Sequence, residues 1–151
     1  MFSIFDGPDA QCILLSIRPA LVHALGQVLE QNEATMEHVK DYSALAHALK
    51  KNSALNYILI DVDAHDGVNA QFPFLRHVRD SFPDKHTILL SEDFETDEFG
   101  THRLTLGDIS LRVPVLHASL ELALLQAPVN NLQWRARQAE QPPRPVAVSA
   151  G

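Results

Sequence analysis

Short apolar runs alternate with stretches of helical periodicity along most of this chain. Residues 12–15 form a continuous apolar run, too short for a helix and suited to a strand buried on both faces. Pro19 fits a first helical position, and Leu21, Val22, Leu25, Val28 and Leu29 then recur at helical spacing. Gly26 weakens that helix by roughly 1 kcal/mol relative to Ala, which predicts a close packing contact there. Residues 35–39 read as a second, more marginal strand. Ser43 is placed to cap a short helix through Lys51, with Leu45, Ala46 and Leu49 facing inward. Residues 55–62 carry the strongest strand pattern of the chain.

Gly67 and Asn69 mark a loop. A helix from about 70 to 82 then puts Phe74, Leu75, Val78 and Phe82 on one side, with Pro73 confined to its first turn. Residues 87–90 and 109–113 read as the fourth and fifth strands, with a short or irregular helix between them over 93–107. The last helix runs from about 117 to 126 and buries Leu120 and Leu124. Five strand–helix repeats with short connections imply a parallel sheet covered on both faces. Right-handed crossovers make it a doubly wound three-layer sandwich.

Composition narrows the class. A chain of 151 residues suits one domain, and 46% hydrophobic with 21% charged residues describes an ordinary globular protein. No apolar stretch approaches the roughly 20 residues of a membrane span. The opening Met1-Phe2-Ser3-Ile4-Phe5 has no basic region ahead of it, and the lone Cys12 cannot form an internal disulfide, so a reducing cytoplasm is expected. Residues 1–9 read as an N-terminal arm and 10–127 as the domain. Residues 128–151, with Pro142, Pro143 and Pro145, read as a Pro-rich basic linker toward an effector domain. That segment carries Arg135, Arg137 and Arg144 against Glu140, a balance of +2, so the rest carries −9 of the net −7. An acidic body is a poor nucleic-acid binder, because phosphate contacts need clustered Lys and Arg.

The candidate chemistry lies at the strand ends. Asp61 closes the run Tyr57-Ile58-Leu59-Ile60, and Ser91 closes Ile88-Leu89-Leu90. In a doubly wound sheet both land at the carboxyl edge of the strands, where ligands bind. With Gly107 ahead of the fifth strand and Pro114 after it, the chain resembles the receiver domains of two-component response regulators across residues 10–127. The resemblance implies a flavodoxin-like fold with five parallel strands in order 2-1-3-4-5. It implies that Asp61 stands at the phosphoacceptor position and Ser91 at the position that hydrogen-bonds the phosphoryl group.

The departures bear on mechanism. Receivers hold Mg²⁺ with an acid pair after the first strand, because an incoming phosphoryl dianion and a carboxylate repel one another. Here that stretch reads Ser16-Ile17-Arg18. The family's lysine falls on Val113, its aromatic switch position near Ser110, and Arg112 is one residue early, on the opposite face of a regular strand. The pocket residues are then Ser16, Arg18, Asp63, Glu92, Arg112 and Pro114. Three arrangements remain open: Arg18 pairs with Asp61 and closes the pocket; Asp63, Glu92 or Asp93 re-forms a Mg²⁺ site from the other side; or Arg18 points to solvent. No other cofactor is implied. Eight scattered histidines show no ligand spacing, and no Gly-rich phosphate loop or paired nucleophile is present, so turnover as an enzyme is not expected.

The stretch from Leu14 to Leu21 looks like the degenerate receivers of LuxR-type transcription regulators, some of which bind cyclic di-GMP through a Trp-x-x-Arg motif. Trp134 and Arg137 have that spacing; a solvated linker tryptophan is the competing reading. A rival resemblance is to the degenerate receivers of pilus-assembly ATPases of the ParA/MinD type, which serve localisation or dimerisation. Either way the expected work is protein–protein contact, with an attached effector or partner protein. A homodimer through Val115, Leu116, Leu122 and Leu125 is expected if these are exposed, and no dimer face if the linker buries them.

Overall fold

The computed structural model describes residues 10–65, 67–100 and 106–140. The elements run β1 (Gln11–Leu15), α1 (Pro19–Gln31), β2 (Thr35–Val39), α2 (Tyr42–Lys51), β3 (Tyr57–Asp61), a 3-10 turn (Val62–His65), α3 (Gly67–Ser81), β4 (His86–Ser91), β5 (Ile109–Arg112) and α4 (His117–Glu140). All strand pairs are parallel, in the order β2-β1-β3-β4-β5. The fold is flavodoxin-like, and the arm at 1–9 and residues 141–151 lie outside the described residues.

The period-2 pattern of the strands builds the three layers. Cys12, Leu14, Tyr57, Leu59, Ile88, Leu90, Ile109 and Leu111 face one way, onto Leu21, Leu25 and Leu29 of α1 and Leu120 and Leu124 of α4. Their neighbours Ile13, Leu15, Ile58, Ile60 and Leu89 face the other way, onto Leu45 and Leu49 of α2 and Leu75 and Val78 of α3. Burial on both faces explains why these strands read as unbroken apolar runs. Cys12 is a buried strand residue, and desolvation pushes its thiol up to about 12.

Several local expectations are corrected. A Cβ on Gly26 would meet only Met36 Cε, at an ordinary 3.5 Å, so no tight contact requires glycine there. The cap of α2 is Asp41, whose Oδ1 accepts from Ala44 N at 2.8 Å, rather than Ser43. Helix α3 opens at Gly67, which places Pro73 inside it rather than in its first turn. Phe74 is exposed and stacks on Tyr42, with ring centroids 4.9 Å apart. In place of a helix after Ser91, residues 92–100 form turns and an isolated antiparallel bridge between Glu98 and Ser110. Phe94 of that segment is buried in the α2–α3 layer, and residues 101–105 lie outside the described residues.

The largest correction is at the C-terminal end. Helix α4 does not stop near 126 but continues to Glu140, through Pro128, so the segment read as linker is helical for its first part. Three buried side chains hold the extension to the body. Asn130 Nδ2 donates to the carbonyls of Phe99 and Asp108, both at 2.9 Å. Asn131 Nδ2 donates to those of Pro83 (3.0 Å) and Lys85 (3.1 Å). The Trp134 ring lies 3.9 Å below the Arg79 guanidinium, which makes two bonds of 2.8 and 2.6 Å to the Asp108 carboxylate. Arg79 and Asp108 are both fully buried. Polar residues in a proline-rich context look solvated in sequence; here each finds a backbone or charged partner at the amino-terminal edge of the sheet.

Candidate functional site

The opposite edge of the sheet carries the candidate site. Parallel strands end together, so the last residues of β1, β3 and β4 converge: Ser16 and Arg18 after β1, Asp61 at the end of β3, Asp63 in the 3-10 turn, and Ser91 and Glu92 where β4 ends.

Asp61 is fully buried and fully engaged. Arg18 Nε donates to Oδ2 at 2.8 Å and Nη2 to Oδ1 at 2.7 Å, a bidentate fork. Ser16 Oγ adds a bond of 2.8 Å to Oδ2, and Asp63 N one of 3.2 Å to Oδ1. Ser16 Oγ in turn accepts from Arg18 N at 3.0 Å, which fixes the start of α1 over the carboxylate. The guanidinium also reaches Asp63 Oδ2 and Glu92 Oε2, each at 3.3 Å. One arginine therefore sits among three carboxylates. Its hydrogen bond to Asp61 raises its pKa further, so its charge is secure.

Ser91 does not bond Asp61. Its hydroxyl donates to Asp63 Oδ1 at 2.7 Å and accepts from Asp93 N at 3.0 Å, while Glu92 N donates to Asp63 Oδ2 at 2.6 Å. Asp63 thus ties the end of β4 to the turn after β3, a role the sequence did not single out because the two lie 28 residues apart.

Other candidates fall elsewhere. Arg112 is not in the pocket: its backbone N donates to Asp97 Oδ1 at 2.7 Å and its Nη1 to the Glu95 carbonyl at 3.1 Å, because alternate residues of β5 point apart. Pro114, joined to Val113 by a cis peptide, lines a cleft of about 330 Å³ together with Arg18, Leu21, Ala24, Glu92 and Val115. The candidate dinucleotide contacts Trp134 and Arg137 are not brought together. The Trp134 ring is buried under Arg79, while Arg137 is exposed, so the two residues do not present one surface.

No protein-family model and no curated protein sequence matches the chain. Solved structures do. The signal receiver domain of an HD domain-containing protein from Pseudomonas fluorescens superposes with a TM-score of 0.64 at 19% identity, covering 88% of this chain and 96% of that one. The signal receiver domain of a LuxO repressor protein from Vibrio parahaemolyticus gives 0.62 at 11% identity, over 90% and 100%. A pilus assembly-related protein from Burkholderia pseudomallei gives 0.64 at 16%, over 80% and 90%. The chain has the receiver fold. On that fold the carboxyl edge of the sheet holds Arg18 among Asp61, Asp63 and Glu92, and among the described residues no helix is long and apolar enough to cross a membrane.

Proposed function

We propose that this chain is a regulatory, receiver-like signalling domain of a response regulator, and that it works by docking or dimerisation rather than by phosphorylation of Asp61. The bidentate Arg18–Asp61 pair carries the reading. Phosphoryl transfer to a carboxylate needs a free nucleophilic oxygen and a cation that neutralises the incoming charge. Both oxygens of Asp61 are held, and a guanidinium stands among the three carboxylates that a metal would need. Mg²⁺ demands near-octahedral oxygen ligation, and the stretch after β1 offers a hydroxyl and an arginine instead of acids. With Arg18 in place the three carboxylates hold a guanidinium instead of a metal, and no cofactor is assigned. The output is control of an attached effector, such as a DNA-binding domain, with the acidic body making no nucleic-acid contact of its own.

The likeness to the pilus assembly-related protein supports a second reading, a localisation or dimerisation module of an assembly ATPase. Both readings predict the same pocket behaviour. Titration with BeF₃⁻ and Mg²⁺, followed by amide chemical shifts at Asp61, Ser91 and Val113, is expected to show no saturable change. Saturable binding centred on Asp61 would restore the phosphorylatable receiver.

A further inference from the structure

The connection from β1 to α1 has two sides. On one, Ser16 and Arg18 hold Asp61. On the other, Ile17 between them is 52% exposed and lines a cleft of about 460 Å³ with Pro19, Val22, His23, His38 and Lys40. A concave site of that size, part apolar and part polar, suits a small ligand. Among the described residues no carboxylate lines it, although the chain outside its C-terminal segment carries −9. Past Val22 and His23 a second hollow of about 420 Å³ continues between α1 and β2, over Gly26, Ala34 and Met36, with Glu30 in its wall. Helix α1 runs antiparallel to β2, so Lys40 and Glu30 stand at opposite ends of one groove.

We propose that this groove binds an amphipathic organic anion, its acidic head at Lys40 and His38 and its apolar tail toward Gly26 and Met36, and that the connection from Ser16 to Pro19 carries its occupancy to the Arg18–Asp61 pair. Charge sets the orientation: Lys40 attracts the head and Glu30 repels it from the far end. Ile17, Pro19, Val22 and Met36 offer the tail apolar surface, and Gly26 has no side chain to fill the second hollow. Two contacts make the link. Arg18 lies between Ile17 and Pro19, so a shift of the cleft wall moves the residue that holds Asp61. His38 Nε2 donates to the Ser16 carbonyl at 2.6 Å, and the Ser16 hydroxyl bonds both Asp61 and Arg18 N. The binding site stands apart from the function proposed above; the coupling rests on it, and supplies an input to a domain whose Asp61 is not phosphorylated.

Titration of the full chain with octanoate, followed by amide chemical shifts, tests the site. Octanol, a tail without charge, and acetate, a charge without a tail, are the controls. Octanoate is expected to shift Ile17, Val22, His23, His38 and Lys40 saturably, with the Arg18 Nε–Hε signal, and to bind at least about tenfold tighter than either control. Ile17→Glu and Lys40→Gln change exposed side chains, so their melts should match wild type while octanoate weakens about tenfold or more. Leu125→Glu, on the exposed apolar face of α4 with Leu116 and Leu122, should leave binding unchanged. Absence of saturable shifts, or equal affinity for octanol or acetate, overturns the site. So does octanoate binding that survives both cleft variants or is lost in Leu125→Glu. Binding that leaves the Arg18 signal unmoved overturns the coupling. Saturable BeF₃⁻ binding at Asp61 would remove the proposed function and leave the anion site standing, so the two fail separately.

Discussion

The Tyr57 hydroxyl donates a buried hydrogen bond of 2.7 Å to the carbonyl of Leu124, 67 residues away. Pro128 stands four residues after Leu124 and has no N–H, so within the helix that carbonyl has no backbone donor. A side chain of β3 thus supplies what proline withholds, and α4 passes its own breaker. Tyr57→Phe is expected to destabilise the domain by about 1–3 kcal/mol, the cost of stranding a buried carbonyl. Adding Pro128→Ala returns the N–H and should recover much of the loss. Denaturant unfolding of the two single variants and the double variant measures the coupling, and strictly additive effects would refute it.

That contact also explains the main failure of the sequence reading. Proline and polar residues after 126 read as a linker because their partners lie far off in sequence: Tyr57 for Leu124, Phe99 and Asp108 for Asn130, Pro83 and Lys85 for Asn131. No local rule finds such pairs. The strands were legible because burial on both faces leaves unbroken apolar runs. Asp61 and Ser91 were legible for a topological reason, since residues that close parallel strands share one edge. The bond from Ser91 to Asp63 was not, because the 3-10 turn that aims Asp63 back toward β4 has no marker in the sequence.

Arg18→Ala should destabilise the fold. It leaves the fully buried Asp61 carboxylate with Ser16 Oγ and one backbone N–H as its remaining donors. Removing one member of a buried pair costs 3–5 kcal/mol, and the 27% exposure of Arg18 places this case near the lower end, about 3 kcal/mol. Asp61→Asn keeps the shape and removes the charge, so it should lose less. Chemical denaturation of both variants checks the order; an Arg18→Ala protein as stable as wild type would show that the fork holds nothing together.

Two glycines should respond to Ala with opposite signs. At Gly26 the new methyl meets Met36 Cε at 3.5 Å, an ordinary contact, while mid-helix glycine costs up to about 1 kcal/mol relative to Ala. Gly26→Ala is expected to stabilise the protein by up to that amount. At Gly107 the methyl would lie 2.9 Å from Leu89 Cγ in the core, and overpacking of that kind costs about 1–3 kcal/mol. Melting temperatures of the two variants should move apart, and a shift of both in one direction would contradict the packing described for one of them.

The pH dependence of stability should carry a signature of His86. This residue opens β4 and meets Tyr57 edge-on, with ring centroids 4.9 Å apart. Burial holds its imidazole below the ordinary range; the guanidiniums of Arg135 and Arg79 push the same way, against the carboxylates of Asp108 and Asp84. A base whose pKa is lowered by folding takes up its proton more readily when unfolded. The unfolded state then binds more protons below about pH 6.5, and stability falls as the solution is acidified through that region. Above it the contribution is complete and flat. His86→Phe preserves an aromatic edge against Tyr57 and removes the titrating group, so its urea midpoint should fall less than that of wild type between neutral and mildly acidic pH. An equal fall in both proteins would assign the acid sensitivity to other groups.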